Sequence, residues 1–362
     1  MTIAQRYARQ TVLPGFGAES QARLLDSRVL VIGAGGLGSA VIPALAAAGV
    51  GTIGIVDDDR VELSNLPRQF MHGTNDVGSA KTASAADAVA VIDPAIVVRQ
   101  HPVRLSSENA LGLFADYDLV VDGSDNFPTR YLANDAASLS GLPLVWGAVS
   151  QYGGQAGLAW VGHGPGYRDL FPTPPPPGSV LSCADGGVFP ATVAVIGAIM
   201  TAEVLKVLTG VGRPLLGRVT VYDALSGSFR DLDYAADPEA AAITTLIDYD
   251  LFCGIPPADA ALTPTQVRAL LGVGHVQLLD VREPWEVALV ALPGAIAIPL
   301  GELDDRATEL DPTRPVIAYC HHGIRSARAV EVLRDRGFSD VRHLGGGIDA
   351  WARDLDLDLE RY

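Results

Sequence analysis

The run Arg28-Val-Leu-Val-Ile32 passes directly into Gly33-Ala-Gly35-Gly36-Leu-Gly38 and then into a small-residue segment from Leu37 to Ala48. A short apolar run bounded by glycines reads as a buried strand, and the segment after it as a helix. Glycines at that junction let backbone N–H groups and the helix N-terminus approach an anionic ligand without obstructing side chains. Asp57 lies nineteen residues after Gly38, at the end of a second strand expected over Thr52 to Val56. There it is placed to accept hydrogen bonds from ribose hydroxyls. On this evidence alone a hydride-transferring dinucleotide fold and a nucleoside triphosphate site fit equally well.

The alternation continues. Ala80 to Ile92 has helical periodicity, a third strand is expected near Ile96 to Val98, and Leu119-Val-Val-Asp122 and Pro143-Leu-Val-Trp146 are two further short apolar strands. Such runs fit a mostly parallel sheet covered on both faces, an α/β fold. Glycine and proline dominate Gly162 to Gly178, so an exposed loop is expected there, followed by an apolar helix over Pro190 to Leu208. Gly217 to Tyr222 and Ser228 to Leu232 read as a hairpin. Asp237-Pro238 and Pro256-Pro257 mark a composition shift. The expected organisation is a nucleotide-binding domain over 1–236, a linker over 237–258 and a small α/β domain over 259–362.

Composition removes several function classes. The formal net charge of −16 disfavours non-specific binding to nucleic acid or anionic membranes, so no nucleic acid and no membrane are expected as partners. The longest apolar stretch, Ala191 to Ala202, is shorter than the ~18 residues of a spanning helix. A cytoplasmic location is the corresponding expectation. Cys183, Cys253 and Cys320 cannot all pair within one chain and cannot build a four-thiolate zinc site. Of 26 cationic residues only Lys81 and Lys206 are lysines, which singles both out.

Asp59, Asn65, Arg68 and Lys81 follow Asp57 within twenty-five residues. They offer a carboxylate for magnesium and cationic donors for a triphosphate, a cluster that hydride transfer does not need. Arginine and lysine clamps with magnesium stabilise charge on transferred phosphoryl groups. Asp122-Gly-Ser-Asp125-Asn126 stands at the carboxyl end of a strand, where open α/β sheets bind ligands.

Taken with Arg6-Tyr-Ala-Arg9-Gln10 and Leu63-Ser-Asn65-Leu-Pro-Arg68-Gln69, these residues resemble the MoeB/ThiF family, relatives of ubiquitin-activating enzymes, from about residue 5 to 232. The resemblance implies a Rossmann-like adenylation domain that uses ATP and Mg2+. It implies that Gly33, Gly35, Gly36 and Gly38 form the loop, with Gly36 against the nucleotide phosphates, and that Asp57 holds the ribose. Asn65, Arg68 and Lys81 would grip the phosphates, with Asp59 and Asn126 in the same site. Asp125 would bind the metal and help place the attacking carboxylate. Arg9 would reach the nucleotide of a partner subunit, which implies a homodimer. The substrate implied is a ubiquitin-like sulfur carrier protein with a Gly-Gly C-terminus. Many members of the family hold a structural zinc through two CxxC pairs; here Gly166-Tyr-Arg-Asp169 and Ala240 to Thr244 stand in those places, so no zinc is expected. Cys183, in Leu181-Ser-Cys183-Ala-Asp-Gly186, matches the position where a family cysteine attacks the adenylate or joins an acyl disulfide.

Tyr319-Cys320-His321-His322-Gly323-Ile-Arg325-Ser326 leaves an expected strand and enters a helix expected over Ser326 to Arg336. Successive N–H groups can curl around one sulfur atom there and make an anion nest, which favours thiolate and persulfide. With Leu279-Asp280-Val-Arg282-Glu283-Pro-Trp285-Glu286 and Leu344-Gly-Gly-Gly347-Ile-Asp-Ala-Trp351, this loop resembles a rhodanese domain. The resemblance implies a sulfurtransferase in which Cys320 carries the persulfide, Asp280 and Arg282 organise the pocket, and Arg325 stabilises anionic sulfur. The sulfur donor would be a cysteine desulfurase or thiosulfate. His321 and His322 shape the loop, and Cys253 is an incidental thiol in the linker.

Two other readings compete. An NAD-dependent oxidoreductase would leave the phosphate clamp without a purpose. A nucleotide-sensing interaction protein with a non-catalytic rhodanese module would leave Cys320 without one.

Overall fold

The computed structural model describes residues 3–175, 180, 186–254, 260–356 and 359, and Cys183 lies outside the described residues. The chain forms two compact units, the main division falling between Tyr249 and Asp250.

The first unit is built on an eight-stranded sheet, β1 (Arg28–Ile32), β2 (Thr52–Val56), β3 (Val97–His101), β4 (Leu119–Asp122), β5 (Leu144–Ser150), β6 (Gly153–Ala159), β7 (Arg218–Asp223) and β8 (Ser228–Asp233), in the order β3-β2-β1-β4-β5-β6-β7-β8. From β3 to β5 the pairing is parallel, and from β5 to β8 antiparallel. The strand order reverses between β1 and β4. At the carboxyl ends of these two strands, Gly123 N–H donates to Ile32 O at 2.9 Å, which brings the glycine loop and the Asp122–Asn126 turn side by side. Open α/β sheets bind ligands at such switch points.

The strand β6 was not expected, because Gly-Gly-Gln-Ala-Gly carries little strand signal. Its glycines make room for neighbours. A Cβ on Gly154 would stand 2.4 Å from Ile196, and one on Gly157 2.8 Å from the Trp146 ring. The helix Pro190–Thr209 and the buried indole occupy that space instead.

That helix corrects a sequence expectation. It runs 20 residues, long and apolar enough by length and composition to cross a bilayer. Past Ala202 it carries Glu203, which is 2% exposed. Glu203 accepts from the Leu215 N–H at 2.7 Å and pairs with Lys206. In the fold, Val193, Ile196, Met200 and Val204 are core residues. Gly197 lets the helix approach Ala40 of the helix Gly36–Ala48 so closely that a Cβ there would clash at 2.3 Å.

The second unit has a five-stranded, all-parallel sheet of β9 (Ala261–Leu262), β10 (Gln277–Asp280), β11 (Ile296–Ala297), β12 (Val316–Tyr319) and β13 (Val341–Leu344), in the order β11-β10-β12-β13-β9. Helices Pro264–Val273, Ile324–Asp335 and Gly347–Asp354 accompany it. Apolar side chains pack on both faces of β12, Val316 and Ala318 on one and Ile317 and Tyr319 on the other.

Candidate active sites

The glycine loop is held as a backbone frame. Gly33 has φ +89°, and Gly38 comes so close to Gly33 that a Cβ on Gly38 would stand 2.1 Å from the Gly33 carbonyl oxygen. A Cβ on Gly36 would stand 3.3 Å from the Val193 side chain, a tight contact. The helix Gly36–Ala48 starts with no side-chain cap, so its first-turn N–H groups are available to an anion. Asp57 Oδ2 accepts from Ala34 N–H and Oδ1 from Asp59 N–H, both at 2.8 Å. Burial raises the Asp57 carboxyl above its ordinary value despite nearby Lys81.

Lys81, the first residue of the helix Lys81–Ile92, is buried and reaches Asp59 Oδ2 at 2.8 Å. Its ammonium therefore stands on the acidic run Asp57-Asp58-Asp59, whose carboxylate oxygens lie within 4.8 Å of one another. Asn65 is buried in a one-turn 3-10 helix and accepts from Glu62 N–H at 3.3 Å. Arg68 is half-buried and donates to Ser64 O at 3.1 Å. Arg9 is exposed on the short helix Ala8–Thr11.

Asp125 and Asn126 are exposed at the start of the helix Phe127–Ser140. Asn126 Oδ1 caps that helix by accepting from Thr129 N–H at 2.9 Å, so its acceptor already has a structural task. The turn carrying Asp125 is fixed from beneath by Asp122 and Arg130, both buried. Arg130 Nη2 donates to Ser124 O and Gly147 O at 3.0 and 3.2 Å, and its Nε lies 3.6 Å from Asp122 Oδ2. Burial pushes the Asp122 carboxyl up, with Arg130 opposing it.

Sequence reasoning missed Arg130 and His72. His72 is 5% exposed and joins Ala34 O at 2.8 Å to Ser84 Oγ at 2.7 Å. A lone histidine between Arg68 and Lys81 carries no pattern that announces such a role.

The stretch Gly166–Asp169 is tied by side chains. Asp169 Oδ2 accepts from Gly166 N–H at 2.7 Å, and its Oδ1 from Asp237 N–H at 2.8 Å. Arg168 forms a bidentate pair with buried Asp135 at 2.8 and 2.7 Å, and Tyr249 donates to the same carboxylate at 2.7 Å. Tyr249 lies within the expected linker, yet it is a buried residue of the first unit.

In the second unit, Cys320 follows directly on β12 and is 1% exposed. Gly323 N–H donates to its Sγ at 3.1 Å, and the αL conformation at Gly323, φ +95°, makes that turn possible. The loop is gripped from behind. Ile348 N–H donates to Cys320 O at 2.8 Å and Asp349 N–H to His321 O at 3.1 Å, both from the first turn of the helix Gly347–Asp354. A Cβ on Gly347 would stand 2.1 Å from His321 O, which explains the glycine run. The rings of His321 and His322 stack at 3.9 Å.

Asp280 and Arg282 are fully buried and paired, at 2.9 and 2.6 Å, with Arg282 lying over the Tyr319 ring. Arg325 makes a bidentate pair with Glu286, both contacts 2.6 Å. Both terminal nitrogens of this guanidinium bond a carboxylate contributed by the helix Pro284–Leu289. Cys253 is buried as well.

The first unit can thus cradle a polyphosphate between a helix N-terminus and Lys81, and the second can hold one reactive sulfur in a backbone nest. The ThiF family model matches residues 7–242, and the rhodanese-like domain model matches residues 263–354. The chain is 47% identical to a probable adenylyltransferase/sulfurtransferase MoeZ of Mycobacterium tuberculosis, over 99% of this chain and 95% of that protein. It is 51% identical to a sulfur carrier protein adenylyltransferase of Thermus thermophilus over 69% of this chain and 96% of the relative. It is 39% identical to adenylyltransferase and sulfurtransferase MOCS3 of Drosophila yakuba over 99% and 84%. A crystal structure of E. coli MccB with ATP shares the fold, with TM-score 0.58 and 22% identity over 65% of this chain and 73% of that one. A glycine-loop site at the switch point of the first sheet, a cysteine nest in the second and near full-length similarity together show that this chain belongs to the ThiF family and carries a C-terminal rhodanese-like domain.

Proposed function

We propose that this adenylyltransferase and sulfurtransferase activates the C-terminal carboxylate of a ubiquitin-like sulfur carrier protein with ATP and then converts it to a thiocarboxylate. A carboxylate resists nucleophiles because of its charge. An acyl adenylate offers AMP as a stabilised leaving group. The carrier carboxylate attacks the α-phosphorus of ATP and releases pyrophosphate. The outer sulfur of a Cys320 persulfide then attacks the acyl carbon, forming an acyl disulfide and releasing AMP. Attack of the Cys183 thiolate on the Cys320 sulfur releases the thiocarboxylate and leaves a Cys183–Cys320 disulfide, which a thiol reductant reopens.

In this reading the glycine loop and Lys81 hold the phosphates, Asp57 receives the ribose, and Asn65 and Arg68 complete the grip. Asp125, Asp59 and Asn126 line the same mouth, where Mg2+ held through Asp125 would neutralise phosphate charge. Arg9 is exposed, which suits a residue that serves a partner subunit in a homodimer. A Gly-Gly tail suits a narrow approach because it carries no side chains. The sulfur donor is a cysteine desulfurase or thiosulfate, and the enzyme works in the cytoplasm.

No zinc takes part in this reading. The places of the two metal-binding pairs lack thiols, and the Asp169 carboxylate instead bonds the N–H groups of Gly166 and Asp237. The adenylation domain is assigned as 1–236, the segment after it stays with that unit as far as Tyr249, and 259–362 is assigned to sulfur transfer. Fusion raises the local concentration of one site near the other.

The observation that carries the reading is the coexistence of the Asp57–Lys81 nucleotide frame and the Cys320 nest in one chain. Mass spectrometry of the carrier after incubation with enzyme, ATP and a sulfur donor tests it. Replacement of one carboxyl oxygen by sulfur is expected with wild type but not with Cys320→Ala. An unmodified carrier in every reaction would refute the proposal.

A further inference from the structure

His72 closes a circuit of contacts around the nucleotide site. Its Nε2 lies 2.8 Å from Ala34 O, and its Nδ1 lies 2.7 Å from Ser84 Oγ. Ala34 N–H donates to Asp57, Asp57 accepts from Asp59 N–H, and Asp59 pairs with Lys81. Ser84 stands three residues after Lys81 in the same helix, one turn along the same face. The circuit therefore runs from the glycine loop through the acidic run and Lys81 back to the loop, and His72 is its closing link.

A carbonyl oxygen can only accept, so Nε2 carries a proton toward Ala34 O. Nδ1 faces the Ser84 hydroxyl, and the proton between them can sit on either atom. The Ala34 carbonyl shares a trans peptide plane with the Gly35 N–H, and in such a plane the two point in opposite directions. Holding the carbonyl toward buried His72 therefore aims the Gly35 N–H away from it. Among the described residues no acceptor is found for that N–H, and the space beside Gly35 holds only the Gln69 amide at 3.6 Å from a Cβ position.

We propose that His72 is a positioning residue for nucleotide binding, which orients the Gly35 N–H toward a phosphate oxygen and locks the glycine loop to the helix of Lys81. This rests on the reading of the first site as the ATP site.

The test measures ATP affinity by calorimetry on the full chain, alongside thiosulfate sulfurtransferase activity as a control on the second unit. His72→Ala is expected to weaken ATP binding roughly ten- to a hundred-fold, the scale of one hydrogen bond to a charged group. His72→Gln places an amide N–H near the Nε2 position and is expected to recover affinity to within about three-fold. His72→Asn reaches only the Nδ1 position and is expected to behave like His72→Ala. A merely structural role would not separate glutamine from asparagine in this way. Sulfurtransferase activity stays at the wild-type level throughout. Unchanged ATP affinity in His72→Ala, or recovery with asparagine and not glutamine, would overturn the inference while leaving the nucleotide site intact. Wild type that binds no ATP would overturn the site reading itself, and this inference with it.

Discussion

The two sites differ in how much of their chemistry the fold holds already assembled. Around Cys320 the sulfur already accepts from Gly323 N–H, the loop carbonyls are bonded by the next helix, and Arg325 and Arg282 are each paired with a carboxylate. In the first unit only the frame is set: the glycine loop, Asp57, Asp59 and buried Lys81 are interlocked. Arg9 and Asp125 stand exposed and Arg68 half-exposed. The difference follows from the ligands. A single sulfur atom can be enclosed by backbone in advance, whereas a triphosphate and a protein tail must enter a site that stays open to solvent.

The strongest way to break this comparison is to remove one chemical group from each site. Cys320→Ala is expected to abolish sulfurtransferase activity and leave ATP/pyrophosphate exchange within about two-fold. Lys81→Ala is expected to lower exchange by roughly 10²-fold or more, the scale of losing an electrostatic donor, while leaving sulfurtransferase activity unchanged. Joint loss of both activities in either variant, with the fold intact, would contradict separate sites. Cys183→Ala is expected to retain adenylate formation and to lose thiocarboxylate release.

Stability measurements sharpen the same contrast. Arg325 and Glu286 are 17% and 4% exposed, so Arg325→Ala takes the cation from a buried carboxylate that keeps the Glu283 N–H, and should destabilise the second unit by about 3 kcal/mol. Arg68→Ala removes a half-exposed side chain and should change stability by less than about 0.5 kcal/mol, although it impairs exchange. Chemical denaturation followed separately from exchange rates checks both. Equal destabilisation would mean that the first site is as fully assembled as the second.

The remaining tests concern the supports. Tyr249→Phe removes one hydrogen bond to the buried Asp135 carboxylate and should cost about 1–3 kcal/mol, whereas metal chelators should leave the melting temperature unchanged. Stoichiometric zinc with a chelator-induced fall in melting temperature would contradict the proposal that no zinc takes part. His343 pairs with Ala318 across β13 and β12, and burial holds its imidazole below the usual histidine range. The unfolded chain therefore binds the proton more tightly than the folded one. This contribution to stability is complete above about pH 6.5 and declines as pH falls through that value toward the lowered folded pKa. Acidification should lower the melting temperature of the second unit by on the order of a few degrees, and less in His343→Leu.

What could be read from the sequence was mostly backbone chemistry. The strand, glycine loop and Asp57 were legible because only certain residues fit a tight turn at a helix start, and the same holds for Cys320 through Gly323. Side-chain partners across long separations were not legible. Glu286 reaches Arg325 from 39 residues away, Tyr249 reaches Asp135 from 114, and His72 finds the Ala34 carbonyl 38 residues back. Such contacts are set by packing of whole elements, and local pattern does not encode them. Asn126 was ambiguous for another reason: the same residue type serves a ligand or an N-cap, and here Thr129 N–H takes its oxygen. The strand β6 escaped notice because its glycines answer to Ile196 and Trp146, neighbours known only in the fold.

The most direct test of the central claim is ATP/pyrophosphate exchange by the full chain, measured with a sulfur carrier ending in Gly-Gly and with the same carrier lacking its last glycine. The account predicts exchange that requires both the intact tail and Lys81. ATP binding without exchange for any intact carrier would contradict it and would leave a nucleotide-binding protein joined to a sulfurtransferase.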